Sequence, residues 1–124
     1  MRRDRAIAKR AAERREREDA ADRLNAVVPE LHRLKLRIEE SRGDEAPPEI
    51  SHTRHIVVAR APALFEVPCS DRYCDGHHNV TVEVVEALKS GATRFEGDDE
   101  CQGTSRNGAC RLVLRYVAEA TYAA

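Results

Sequence analysis

The 124-residue sequence predicts an α+β protein: a long, kinked N-terminal helix, then a small cysteine-stapled antiparallel β domain with one helix. Three observations carry this. Residues 2–41 lack glycine and are dominated by Ala, Arg, Glu and Leu, all good helix formers. Arg111 to Tyr122 alternates Leu112, Leu114, Tyr116, Ala118, Ala120 and Tyr122 with intervening residues, the period of a strand. All four cysteines lie between residues 69 and 110, in two close pairs.

In the front part, Glu13–Arg17 and Asp19–Arg23 are helix-supporting pairs with the acid first. From Ala20 the apolar positions run Leu24, Val27, Leu31, Leu34, Ile38, in steps of 4 and 3. That is a short coiled-coil-like heptad seam. It predicts a helix interface with a partner, a second copy or the chain's own back part. Pro29 falls in phase with this seam and predicts a kink, because it removes one helical hydrogen bond. Gly43 is the expected cap. The predicted organisation is a helical arm over 1–42, a linker over 43–53 stiffened by Pro47-Pro48, and a domain over 54–124.

Within that domain, residues 54–60 are β-branched and predict a strand, and Leu64 to Val67 predicts a second one delivering Cys69. Asn79 suits a helix N-cap, Val80, Val84, Val85 and Leu88 share one helical face, and Gly91 closes the element. Residues 80–84 also alternate as a strand would. Thr93 to Glu96 predicts a short strand, residues 97–109 a polar loop, and residues 111–122 the returning strand of a hairpin.

Lys+Arg total 21 and Asp+Glu 22, a net charge of −1, which does not indicate a globally basic nucleic-acid binder. Residues 1–42 hold 13 basic and 9 acidic side chains (+4), leaving 8 and 13 (−5) for residues 43–124. Of the basic residues only Lys9, Lys35 and Lys89 are lysine, a bias that points to a GC-rich bacterial genome. The start, Met1-Arg2-Arg3-Asp4-Arg5, lacks the apolar stretch of a secretory signal, and no apolar run is long enough to span a bilayer. The expected location is the cytoplasm, with no membrane partner.

The cysteines are spaced C-x4-C, 26 residues, C-x8-C, at Cys69, Cys74, Cys101 and Cys110. Two close pairs on two turns are the layout of a four-ligand zinc site, since a closed-shell ion accepts four thiolates tetrahedrally. Joining the turns converts binding energy into folding energy, which a domain with two Phe and no Trp needs. His77 and His78, close behind Cys74, are alternative ligands. Disulfides Cys69–Cys74 and Cys101–Cys110, or a redox switch, are the other readings of the four thiols.

This arrangement resembles the zinc-ribbon class over residues 69–122: two cysteine-bearing turns, one leading into a β-hairpin, here with spacings of four and eight and an inserted helix. The resemblance implies a closed, structural zinc site and a binding role.

Catalytic patterns are absent. There is no H-E-x-x-H or G-x-S-x-G, and Gly103-x4-Gly108 is followed by Ala-Cys where a P-loop needs Lys-Ser/Thr. Asp98-Asp99-Glu100 reads as a solvated acidic loop tip, His52 and His55 as surface residues, and Tyr73 beside Arg72 as a ring packed over the first turn. Only with an open zinc position would Glu66 or Glu96 serve as a base. The expected function is a non-enzymatic zinc-binding interaction module whose arm engages a protein partner or a second copy. A nucleic-acid- or ribosome-associated factor is the alternative, with Arg2, Arg3, Arg5, Lys9, Arg10, Arg14, Arg15 and Arg17 on phosphate. A thiol redox sensor is the third reading.

Overall fold

A computed structural model describes residues 2–42, 50–71, 73–105 and 108–123, with side chains from Arg5 onward. The Gly43 cap, the Pro47-Pro48 spacer, Arg72 and the side chains of Arg2 and Arg3 lie outside what is described. The chain runs α1 (Arg2–Ala20), α2 (Leu24–Val27), β1 (Leu31–Ser41), β2 (Ile50–Ile56), β3 (Glu66–Pro68), β4 (His77–Asn79), α3 (Thr81–Lys89), β5 (Arg94–Glu100), β6 (Thr104–Ser105), β7 (Gly108–Ala109) and β8 (Val113–Tyr122). It is α+β, built on a four-stranded antiparallel sheet of order β2-β1-β8-β5.

The kinked helix over 1–42 is corrected. The first helix stops at Ala20, and Leu31 to Ser41 is an interior strand paired on both sides. The steps of 3 and 4 matched Leu31, Leu34 and Ile38 but passed over Leu36. In β1, Leu34, Leu36 and Ile38 are all buried and alternate with exposed His32-Arg33, Lys35 and Arg37 or half-buried Glu39, a period of two. The proposed helix interface is therefore core: Leu24, Leu31, Leu34 and Ile38 are buried and Val27 packs against them. The boundary at residue 42 is corrected too, because β1 pairs along its length with β8 of the back part. Residues 50–53 are likewise strand, not linker.

One face of the sheet carries the core. Leu34, Leu36 and Ile38 meet Leu114, Tyr116, Ala118 and Ala120, covered by Val84 and Leu88 of α3 and by Leu24, Val28, Phe65, Val67 and Val80. Phe95 meets Tyr116 edge-on, with ring centroids 6.4 Å apart. The opposite face is polar and laced with charge pairs such as Lys35–Glu119 (3.1 Å) and Arg94–Glu119 (3.2 Å).

Helix α3 forms where expected. The Asn79 carboxamide oxygen accepts from the Thr81 N–H at its start, and Gly91 takes φ +81° just past its end. Strands β5 and β8 form the expected hairpin. The predicted loop over 97–109 is corrected, since Gly97 to Glu100 extend β5 and Thr104–Ser105 pairs with Gly108–Ala109.

Helix α1 is polar nearly all round, so packing alone does not hold it. Arg17 fixes its last turn by a two-pronged contact to Glu66 of β3, Nε to Oε1 at 2.9 Å and Nη2 to Oε2 at 2.7 Å. The Glu66 side chain is 3% exposed, and this fork is what compensates its charge.

Candidate metal centre

The period-two rows of the sheet deliver the site. The inward row of β5 runs Phe95, Gly97, Asp99 and on to Cys101, and that of β8 begins at Cys110 and Leu112 before Leu114 and Tyr116. The inward row of β1 ends Leu36, Ile38, Glu40. Apolar side chains thus give way to ligating ones at one end of one face. The β3–β4 hairpin faces that end, carrying Cys69 and Cys74 in its turn and His78 on its buried side.

All four Sγ atoms lie within 4.8 Å of one another. Cys69 Sγ is 3.6 Å from Cys110 Sγ, and Cys74 Sγ is 3.6 Å from Cys101 Sγ. A tetrahedral ion with metal–sulfur bonds of about 2.3 Å places its sulfurs about 3.8 Å apart. Both of these contacts join the two turns, and all four thiols are free, so the disulfides within each turn are not formed. The cluster can hold a metal ion.

Each sulfur accepts a backbone N–H from the residue two positions on: Asp71 to Cys69, Gly76 to Cys74 (3.2 Å), Gly103 to Cys101 and Leu112 to Cys110. These donors favour thiolates. Burial works against them, raising the Cys69 thiol strongly and pushing Cys101 up to about 12. At Cys110 burial also opposes ionisation, yet the Leu112 N–H and the three neighbouring thiols pull it below its ordinary value. A bound cation reverses that balance, because it favours the thiolate form of every sulfur it touches.

The turns are tied to each other besides. Asp75 N–H donates to the Thr104 carbonyl (3.2 Å), Thr104 N–H and Oγ1 donate back to the Asp75 carboxylate (2.8 and 3.1 Å), and Ser105 Oγ donates to Asp71 (2.6 Å). Each acid is held below its ordinary pKa, Asp71 first by Ser105 and Asp75 first by the Thr104 N–H.

The two alternative histidine ligands separate. His77 is exposed and belongs to no metal-capable group among the described residues. His78 is wholly buried and stands with Cys69 and Glu40, all three ligand atoms within 4.8 Å of one another. Its Nδ1 is 3.0 Å from Asp99 and its Nε2 is 3.4 Å from Glu40. Burial opposes a charge on His78, but Glu40 and Asp99 outweigh it and raise its pKa. Burial likewise opposes a charge on Glu40, and His78 with the N–H and hydroxyl of Ser70 overcomes it. Asp99 is thus half-buried strand rather than solvated loop tip.

Glu40 and Asp99 had no motif to betray them. The available signal was parity: Asp99 shares it with Cys101, and Glu40 with Ile38 once β1 is a strand. Glu66, one of the two conditional bases, is instead occupied by Arg17. Tyr73 is exposed at 44%.

Of the proposed phosphate contacts, Arg17 holds Glu66, Arg14 pairs with Glu18 at 3.7 Å, and Arg10 acts on Asp75. Arg5, Lys9 and Arg15 are exposed on α1. Among the described residues no helix is long and apolar enough to cross a membrane.

Compared with known proteins, the chain matches no family model, no curated protein and no solved structure.

Proposed function

We propose that this chain is a non-enzymatic, zinc-ribbon-like interaction module of the bacterial cytoplasm, in which a structural zinc ion pins two cysteine turns to the end of a β-sheet. The observation that carries this reading is the set of four mutually close sulfurs, each backed by a backbone N–H. Zinc bound there would supply positive charge and a tetrahedral cross-link. Four thiolates fill its coordination sphere and leave no position for a substrate, which supports a binding role.

The surface offered to a partner is α1. Its inner stripe is committed to the domain through Arg17, its outward side carries Arg5, Lys9, Arg15, Glu16 and Asp19, and Ile7, at the free end of the stripe that holds Arg10 and Arg14, is exposed at 44%. Acids among the bases favour a protein partner or a second copy over continuous phosphate.

The test is metal analysis and native mass spectrometry of protein purified without chelator, followed by sedimentation at two salt concentrations. Zinc bound by the four cysteines, with self-association or protein capture lost in Ile7→Glu, is the expected result. Metal-free protein with four reactive thiols would overturn the zinc reading. Zinc released and regained on mild oxidation and reduction would favour the sensor. Steeply salt-dependent RNA binding would favour the nucleic-acid reading.

A further inference from the structure

We propose a second metal position beside the first, held by His78 Nε2, the Glu40 carboxylate and the Cys69 sulfur, with Cys69 bridging the two ions. It rests on the four-thiolate reading, because Cys69 belongs to both groups.

The geometry around His78 is that of a ligand. Its Nδ1 meets Asp99 at 3.0 Å, a normal hydrogen bond, while Nε2 is buried and has no hydrogen-bond partner. A metal-bound histidine characteristically gives its other nitrogen to a carboxylate, which fixes the ring and leaves the free lone pair aimed at the ion. The Nε2–Glu40 Oε2 separation of 3.4 Å is long for a charge-assisted bond, which closes to about 2.7–2.9 Å. It is close to the roughly 3.3 Å that a tetrahedral ion with bonds of about 2.0 Å sets between a nitrogen and an oxygen ligand.

Charge points the same way. Four thiolates around one divalent ion leave a doubly negative centre, and Glu40, 2% exposed, adds a buried carboxylate beside it. Glu40 faces His78, whose other ring nitrogen is already taken by Asp99. Ser70 contributes neutral donors alone, its N–H at 3.2 Å and its hydroxyl at 3.0 Å. A divalent ion between Glu40, His78 and Cys69 would set positive charge directly against that carboxylate. His78, Glu40 and Asp99 arrive from three different strands, β4, β1 and β5, so the fold assembles the pocket instead of a local loop.

The experiment is zinc titration of the full chain, read by native mass spectrometry of folded protein, with Co2+ absorbance as a second readout of thiolate ligation. Two zinc ions per wild-type chain are expected, and one in Glu40→Gln and in His78→Gln, with the circular dichroism retained. Because both side chains are buried, Asp99→Asn serves as the independent variant. It leaves all ligands in place and should weaken the second equivalent by about 10–100-fold without touching the first. One zinc in the wild type, unchanged in Asp99→Asn, would overturn the second position and leave the four-thiolate site standing. No zinc in any protein would overturn both.

Discussion

Gly76 and Gly103 lie back to back across the two cysteine turns, so close that a Cβ on Gly103 would stand 2.6 Å from the Cα and N of Gly76. A Cβ on Gly76 would in turn meet the Cys101 sulfur at 2.7 Å and the Gly103 backbone at 2.9 Å. The sulfurs converge because neither residue has a side chain. Gly103→Ala should therefore force the turns apart, since the obstacle is backbone and cannot rotate away. The expected cost is about 2–3 kcal/mol of stability, with zinc lost at lower chelator concentration than from the wild type. Urea unfolding and chelator competition measure the two effects.

Metal removal should loosen the cysteine end selectively. Cys74, Cys101, Cys110 and Leu112 form a buried cluster separate from the main core of Leu34, Leu36, Ile38, Leu114 and Tyr116. Chelation should thus abolish hydrogen-exchange protection over residues 69–76 and 101–110 while β1, β8 and α3 keep theirs. Cys101→Ser should mimic chelation. Uniform loss of protection across the sheet would instead mean that the ion holds the whole domain.

Arg17→Ala should undock the end of α1 and leave the Glu66 carboxylate buried without its partner. The loss should lower the melting temperature, because the 3% exposed Glu66 side chain is left without its partner. Glu66→Gln, which removes the charge together with its need for compensation, should cost less. The double mutant Arg17→Ala/Glu66→Gln should be less destabilised than the sum of the single changes, as thermal unfolding at one pH would reveal.

Alkaline pH should weaken the fold through Tyr116. This phenol is 3% exposed, and burial, then the charges of Glu83 and Asp98, push its pKa up to about 12. The unfolded chain ionises near pH ~10. Between those values the native state holds a proton that the unfolded state has lost. The contribution is complete below about pH 10 and disappears by about 12, up to roughly 2–3 kcal/mol. Tyr116→Phe should flatten this decline in urea midpoints measured from pH 9 to 12.

Gly97 pairs opposite Tyr116, and a Cβ there would lie 2.6 Å from its Oη and 2.8 Å from Cζ. Gly97→Ala should displace a ring packed against Phe95 and destabilise by about 1–3 kcal/mol. Gly97→Ala combined with Tyr116→Phe should recover part of that loss, because the nearest clashing atom is gone. Thermal melts of the three variants test it.

The α+β class, helix α3 with its Gly91 end, the β5–β8 hairpin and the four cysteines as one group were legible in the sequence, because each rests on a local pattern or a residue type with few uses. The 31–41 segment was not, because it satisfies two periods at once. Leu31, Leu34 and Ile38 fit a helix, Leu34, Leu36 and Ile38 fit a strand, and local spacing does not choose between them. The choice came from β2 and β8, whose backbones satisfy the hydrogen bonds of β1 on either side and bury its inward row. Glu40, His78 and Asp99 were hidden for the same reason: they stand 38 and 21 positions apart and become neighbours only through strand register. Residue identity determined what chemistry this chain could bring, and the non-local pairing of its strands decided which of those groups meet.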